Sequence, residues 1–217
     1  MDEYPKIETL YDRDKETFTV IPGAFRWPEF ANVCTWLVTE KIDGTNVRVN
    51  FDGERVSFGG RTDRAQMPVP LLDMLMRTFT VERMRAALPD GGTLYGEGYG
   101  PKIQKGGGNY RPDPGFRLFD VKVGEWWLRW EDVKAVAHKL GIDTVPMLFD
   151  LRHDGLPRSE SDLRADIRES IVARQENDLG GFEAEGIVAR AYPELCDRRG
   201  RRLMWKLKFS DFREGRR

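Results

Sequence analysis

Lys41-Ile42-Asp43-Gly44-Thr45-Asn46 lies between two stretches that read as strands. Trp36-Leu37-Val38-Thr39-Glu40 precedes it as a buried strand, and Val47-Arg48-Val49-Asn50-Phe51 follows with the alternation of a half-buried one. Lys41 therefore falls where an ammonium is poorly solvated. A lysine so placed is a candidate nucleophile, because burial favours the neutral amine and the neutral amine is the form that attacks. Gly44 permits a tight turn and the close approach of a ligand. Asp43 sets a carboxylate beside the amine, where a metal or a phosphate-bound water can use it. The same six residues also fit an ordinary surface hairpin turning at Asp43-Gly44, and a short motif alone does not separate the two.

The chain has 217 residues, enough for one large domain or two small ones with a substantial core. Its 35 basic and 36 acidic residues nearly cancel, so net charge neither demands nor excludes a polyanionic partner. The distribution is uneven: from Cys196 to Arg217 nine Lys or Arg stand against Asp197, Asp211 and Glu214. Such an excess suits a phosphate-binding strip, while Arg213 to Arg217 read as a solvated, partly disordered tail. Cys34 and Cys196 are too few and too far apart for a disulfide framework or a zinc site. With only His138 and His153 present, histidine metal clusters and a Ser-His-Asp mechanism fit poorly. The N-terminus lacks the apolar core of a signal peptide, and no apolar run is long enough to cross a membrane. A soluble, cytoplasmic protein is expected.

Along the chain, residues 1–34 read as a loop-rich lead-in, with turn signals at Pro22-Gly23 and Trp27-Pro28. Strands are predicted over about 35–42, 45–51 and 54–59, the last two joined at Asp52-Gly53. Leu71 to Leu88 has helical spacing, Thr93 to Glu97 reads as a short strand, and residues 98–115 as a long basic loop rich in glycine and proline. A hairpin is predicted around Gly124, helices over Glu131 to Leu140 and Ser161 to Glu176, and closing strands over Glu185 to Arg190 and Leu203 to Phe209. No composition shift marks a linker, so the expectation is one antiparallel-rich α+β domain spanning residues 1–217.

Further segments bear on Lys41. Arg61 follows the third strand in Gly59-Gly60-Arg61-Thr62, and Glu97 sits among small neighbours in Tyr95-Gly96-Glu97-Gly98. Glu185 opens the apolar strand Gly186-Ile187-Val188-Ala189, and Lys206 and Lys208 share one face of Trp205-Lys206-Leu207-Lys208-Phe209. Singly, each has a bland alternative: an arbitrary ion pair, a solvated turn, a capped strand end, the wet face of an edge strand. Together they supply a nucleophile, two acids, an arginine and paired lysines, which is what attack on a nucleotide α-phosphate requires.

On these motifs the chain resembles the covalent nucleotidyltransferase superfamily of DNA ligases, RNA ligases and mRNA capping enzymes, over residues from about 35 to 208. Lys41 to Gly44 matches the Lys-x-Asp-Gly nucleophile motif. Asn46 is similar to the RNA ligase 2 branch, where DNA ligases and capping enzymes typically carry arginine. Gly98-Tyr99-Gly100-Pro101-Lys102-Ile103-Gln104-Lys105-Gly106 resembles that branch's loop after the third motif. The glycine runs match neither a P-loop nor a Rossmann fingerprint.

The resemblance implies an adenylyltransferase domain of the ATP-grasp-like ligase and capping-enzyme type, with ATP and Mg or Mn as cofactors. Lys41 would form lysyl-AMP, Glu40 would lie at the adenine edge, Glu97 at the ribose hydroxyls and Phe119 on the adenine face. Arg61 would contact ribose or phosphate, and Lys206 and Lys208 the phosphates. Glu185 would hold the metal, with Asp43 and Asn46 acting through its water shell. The implied substrate is RNA or an RNA-containing nicked duplex, and no membrane partner is expected. Nine residues follow Lys208, so no OB-fold is expected in this sequence: it reads either as a minimal single-domain enzyme or as one part of a ligase with a separate nucleic-acid-binding domain or partner chain. A DNA ligase or capping-type enzyme is the alternative within the superfamily; an idle nucleic-acid-binding module of the same fold is the alternative outside catalysis.

Overall fold

The structure is a computed structural model that describes residues 2–177 and 181–214. In chain order its elements begin with strands β1 (Glu8–Thr9), β2 (Tyr11–Arg13), β3 (Val20–Phe25), β4 (Thr35–Lys41), β5 (Thr45–Phe51) and β6 (Val56–Gly59). Helices α1 (Val69–Thr78) and α2 (Val81–Ala87) follow, then β7 (Gly92–Tyr99), β8 (Gly115–Val123), β9 (Trp126–Trp127) and α3 (Trp130–Leu140). The rest comprises β10 (Met147–Arg152), α4 (Glu160–Asp166), α5 (Ile171–Asn177), β11 (Gly186–Ala191) and β12 (Met204–Lys208). The mixed α+β class with antiparallel-rich sheets is the one expected from the sequence.

The chain divides into two compact units: Met1–Pro5, Asp43–Val145 and Val172–Leu179 form one; Lys6–Ile42, Pro146–Ile171 and Gly180–Arg217 form the other. The second is built on a five-stranded sheet in the order β1-β12-β11-β4-β10, antiparallel except for the β1–β12 pair. Period-two alternation puts Trp36 and Val38 of β4, Ile187 and Ala189 of β11, and Trp205 and Leu207 of β12 into one buried cluster. Trp36 and Trp205 meet edge to face within it, 5.6 Å between centroids. The first unit carries a five-stranded sheet in the order β6-β5-β7-β8-β9, fully antiparallel. Val47, Val49, Leu94 and Val121 are buried on its strands, and Leu71, Leu75, Met84 and Val133 on its helices.

Several boundaries differ from the sequence expectation. The single helix expected over Leu71 to Leu88 is two, because Thr80 adopts an extended backbone and its side chain caps α2 by accepting from Arg83 N. The helix expected over Ser161 to Glu176 is also two: Ile167 is extended (φ −149°), and Ser170 N donates to Phe182 O at 2.8 Å. The cap of α4 is Ser159 rather than Ser161. Residues 1–34 hold β1, β2 and β3, and β10 was not anticipated. Of the tail expected to be solvated and partly disordered, Arg213 donates to both carboxylate oxygens of Glu160, at 3.0 and 2.7 Å, and residues 215–217 lie outside those described.

Candidate active site

The register of the second unit's sheet places Lys41 of β4, Gly186 of β11 and Lys208 of β12 directly across from one another. The adjacent same-face row is Thr39, Val188 and Lys206. Lys41 thus emerges from the same face of one sheet as Lys206 and Lys208, which are remote from it in sequence. Glu185, the residue before β11, bridges the first row: its Oε2 contacts Lys41 Nζ and its Oε1 lies 2.7 Å from Lys208 Nζ. The middle of the row has to be glycine. A Cβ on Gly186 would stand 2.1 Å from Leu207 O and 2.7 Å from Lys208 Cα, and the residue's φ is +155°. Lys41 is therefore partly buried but not the lone amine that the strand pattern suggested, since a carboxylate holds it.

Glu40 points to the opposite face from Lys41 and is almost fully buried. Its carboxylate accepts from Ser170 Oγ at 2.5 Å and from Ile171 N at 2.9 Å, so both oxygens are engaged with the chain itself.

In the first unit, the turn Asp43-Gly44 is held from the 100–114 loop. Asp43 N donates to the Tyr110 hydroxyl at 2.9 Å and Gln104 Nε2 donates to Gly44 O at 3.1 Å. A Cβ on Gly44 would lie 2.3 Å from Gly98 O and 2.8 Å from Glu97 Cγ, so only glycine brings the turn this close to Glu97. Asn46 and Glu97 are direct partners across β5 and β7 and share a face. Asn46 Oδ1 is buried without a hydrogen-bond partner. Phe119 is the extra residue of a β-bulge, for Tyr95 pairs with Asp120 and Gly96 with Leu118. The bulge leaves Phe119 half-buried between two fully buried neighbours, its ring edge-on to Tyr4 at 5.0 Å. Arg61 is exposed, just beyond β6.

Sequence reasoning missed three supports. Arg48, expected on the wet face of its strand, is fully buried; its guanidinium donates to Gly60 O at 2.6 Å and to Asp63 at 2.8 Å, bracing the turn that carries Arg61. Tyr110 read only as a loop residue. Glu176 gathers Tyr99, Arg117 and Arg111 at 2.8 to 2.9 Å. Burial raises the Glu176 carboxyl, but the hydrogen bonds from Tyr99 and Arg117 outweigh it and hold the group below its ordinary range. Burial pushes the Tyr99 hydroxyl up to about 12. Among the described residues, no group of three or more His, Cys, Asp and Glu is arranged to hold a metal, and no helix is long and apolar enough to cross a membrane.

The family profile described as RNA ligase matches residues 34–208. The chain belongs to the RNA ligase family. The same fold recurs in solved RNA ligase structures from Naegleria gruberi. The complex with PPi aligns at TM-score 0.62 and 18% identity, over 94% of this chain and 61% of that one. Two single-residue variants with ATP and Mn align at TM-scores 0.61 and 0.63, both at 18% identity. These cover 95% and 94% of this chain and 57% and 61% of the respective partners. This RNA ligase family chain thus spans about three fifths of the length of the solved structures it matches. No curated protein sequence matches it.

Proposed function

We propose that this chain is the nucleotidyltransferase domain of an ATP-dependent RNA ligase, its two compact units serving as one functional domain. The observation that carries the reading is the row Lys41–Gly186–Lys208 with Glu185 across it. In the adenylylation step Lys41 Nζ bonds to the α-phosphorus of ATP, the bond from that phosphorus to the bridging oxygen of pyrophosphate breaks, and Nζ loses a proton. The ammonium paired with Glu185 has no free electron pair, so Lys41 must leave that ion pair and lose a first proton to solvent before it attacks. Lys206 and Lys208, on the same face, are suited to neutralise the phosphates as pyrophosphate departs, and electrostatic stabilisation is the main task of such a site. Transfer of AMP to an RNA 5′-phosphate and sealing by the 3′-hydroxyl follow as the later steps.

The donor set fits Mg or Mn. These ions take oxygen ligands and need only one or two carboxylates beside substrate phosphates and water, so a three-residue cluster is not required. Glu185, once Lys41 has left its Oε2, is the carboxylate proposed to hold the ion, with Asp43 and the unpartnered Asn46 Oδ1 acting through water. The ion supplies positive charge against the phosphates. Glu97 is proposed for the ribose hydroxyls, Phe119 for the adenine face and Arg61 for ribose or phosphate. Glu40 is assigned first to holding Ser170 and Ile171; the adenine-edge role implied by the resemblance requires it to give up one of those bonds.

Labelled ATP with Mg or Mn, followed by denaturing electrophoresis, tests the reading. An acid-labile, base-stable AMP adduct is expected with ATP and not with GTP, because the bond formed is N–P. Lys41→Ala should abolish it, and Lys206→Ala or Lys208→Ala should slow it by about a hundredfold. An adduct that persists in Lys41→Ala would overturn the mechanism, and a GMP adduct would favour a capping-type enzyme.

A further inference from the structure

We infer that the connection between β11 and β12 is a contact for the RNA backbone, at the opposite end of β11 from the lysine row; this rests on the RNA ligase reading above. The connection is a tight hairpin. Leu203 N donates to Leu195 O at 2.8 Å, Asp197 N to Arg201 O at 2.8 Å and Gly200 N to Asp197 O at 3.0 Å. Gly200, at φ +77°, closes the turn, so Arg198 and Arg199 occupy its two central positions, where side chains are presented to solvent.

Both acids of the hairpin are already engaged. Glu194 pairs with Arg202 at 2.7 Å and with Arg190 at 3.4 Å, and Asp197 pairs with Arg201 at 2.6 Å. Arg198 and Arg199 stand exposed with no acidic partner among the described residues. Two guanidiniums at a turn apex, uncompensated, match a run of phosphates.

The surroundings suit a nucleic acid better than a folded acidic protein. Arg201 lies over the Trp27 ring at 4.3 Å, and Tyr192, at the start of the same connection, is 49% exposed. An exposed aromatic and uncompensated arginines on one connection offer a nucleic-acid strand both stacking and charge. Gly186 to Ala191 is five residue steps, so the hairpin begins about 17 Å from the lysine row. At ~3.4 Å per base pair the start of the connection is roughly five pairs from the reacting phosphate, and Arg198 and Arg199 come seven and eight residues further along the chain. Contacts of this kind position the strand and carry no sequence information.

The test compares wild type with Arg198→Glu/Arg199→Glu, Arg198→Ala/Arg199→Ala and Tyr192→Ala, with fluorescence anisotropy on a nicked RNA duplex across a salt series. The alanine pair should bind roughly tenfold more weakly near 0.1 M salt, and the slope of log affinity against log salt should fall by about 2. The glutamate pair should be weaker still. Tyr192→Ala should weaken binding with the slope unchanged. Lysyl-AMP formation without RNA should stay at the wild-type level in all three, which also reports an intact fold. If wild type forms no lysyl-AMP, the ligase reading fails. If it does, and the arginine variants bind RNA with wild-type affinity and slope, only this inference is overturned.

Discussion

A nucleophilic lysine must be held in place and then released, and Glu185 is placed to do the holding. One carboxylate shared by Lys41 and Lys208 fixes both ammoniums at the end of the sheet. The turn that follows Lys41 is fixed separately. Tyr110 is fully buried, its ring lies edge-on to Tyr99 at 5.6 Å, and its hydroxyl accepts from Asp43 N. Tyr110→Phe keeps the ring and removes only the oxygen. The expected cost in stability is about 1 kcal/mol. The lysyl-AMP rate at saturating ATP should fall by tenfold or more, since misplacement by about 1 Å costs on the order of a hundredfold. The measurement pairs a thermal midpoint with that rate; a lower midpoint with an unchanged rate would make Tyr110 structural only.

Among the elements, β11 tolerates no change at its start, because its first residue has no room for a side chain. Gly186→Ala pushes a methyl against the carbonyl of Leu207. The strand pair must separate, at a cost of about 2 kcal/mol or more, and the alignment of Lys41 with Lys208 is lost with it. Urea unfolding together with adduct formation would check this; wild-type values for both would remove the steric argument. The element pattern also explains what could be read in advance. Lys41 was legible because a charge and a glycine interrupt two strand patterns at one point. The pairing of Lys41 with Gly186 and Lys208 was not, since it joins segments about 145 and 20 residues apart in sequence. Nor was Arg48, which obeys the alternation of a half-buried strand yet is buried through bonds to a turn twelve residues on. The hydrophobic spacing of Leu71 to Leu88 runs through the break at Thr80, so periodicity alone reported one helix where the cap makes two.

At the scale of the whole chain, the proposed substrate is decided at the 3′-hydroxyl terminus. The 2′-hydroxyl is what distinguishes RNA from DNA at a given position. Matched nicked duplexes, pre-adenylylated at the 5′-phosphate and differing only in RNA or DNA at the 3′-hydroxyl side, should be sealed preferentially when that side is RNA. Equal sealing, or preference for the all-DNA nick, would count against the RNA reading of Asn46. A last consequence concerns chain length. Phe119 is supernumerary in its ladder: Leu118 and Asp120 face Gly96 and Tyr95, which are themselves adjacent. Excising that one codon would therefore leave a regular pair of strands, with every flanking side chain still on its own face. The ring proposed for the adenine is the one part of this sheet that a lineage could lose by a single in-frame deletion without rewriting its neighbours.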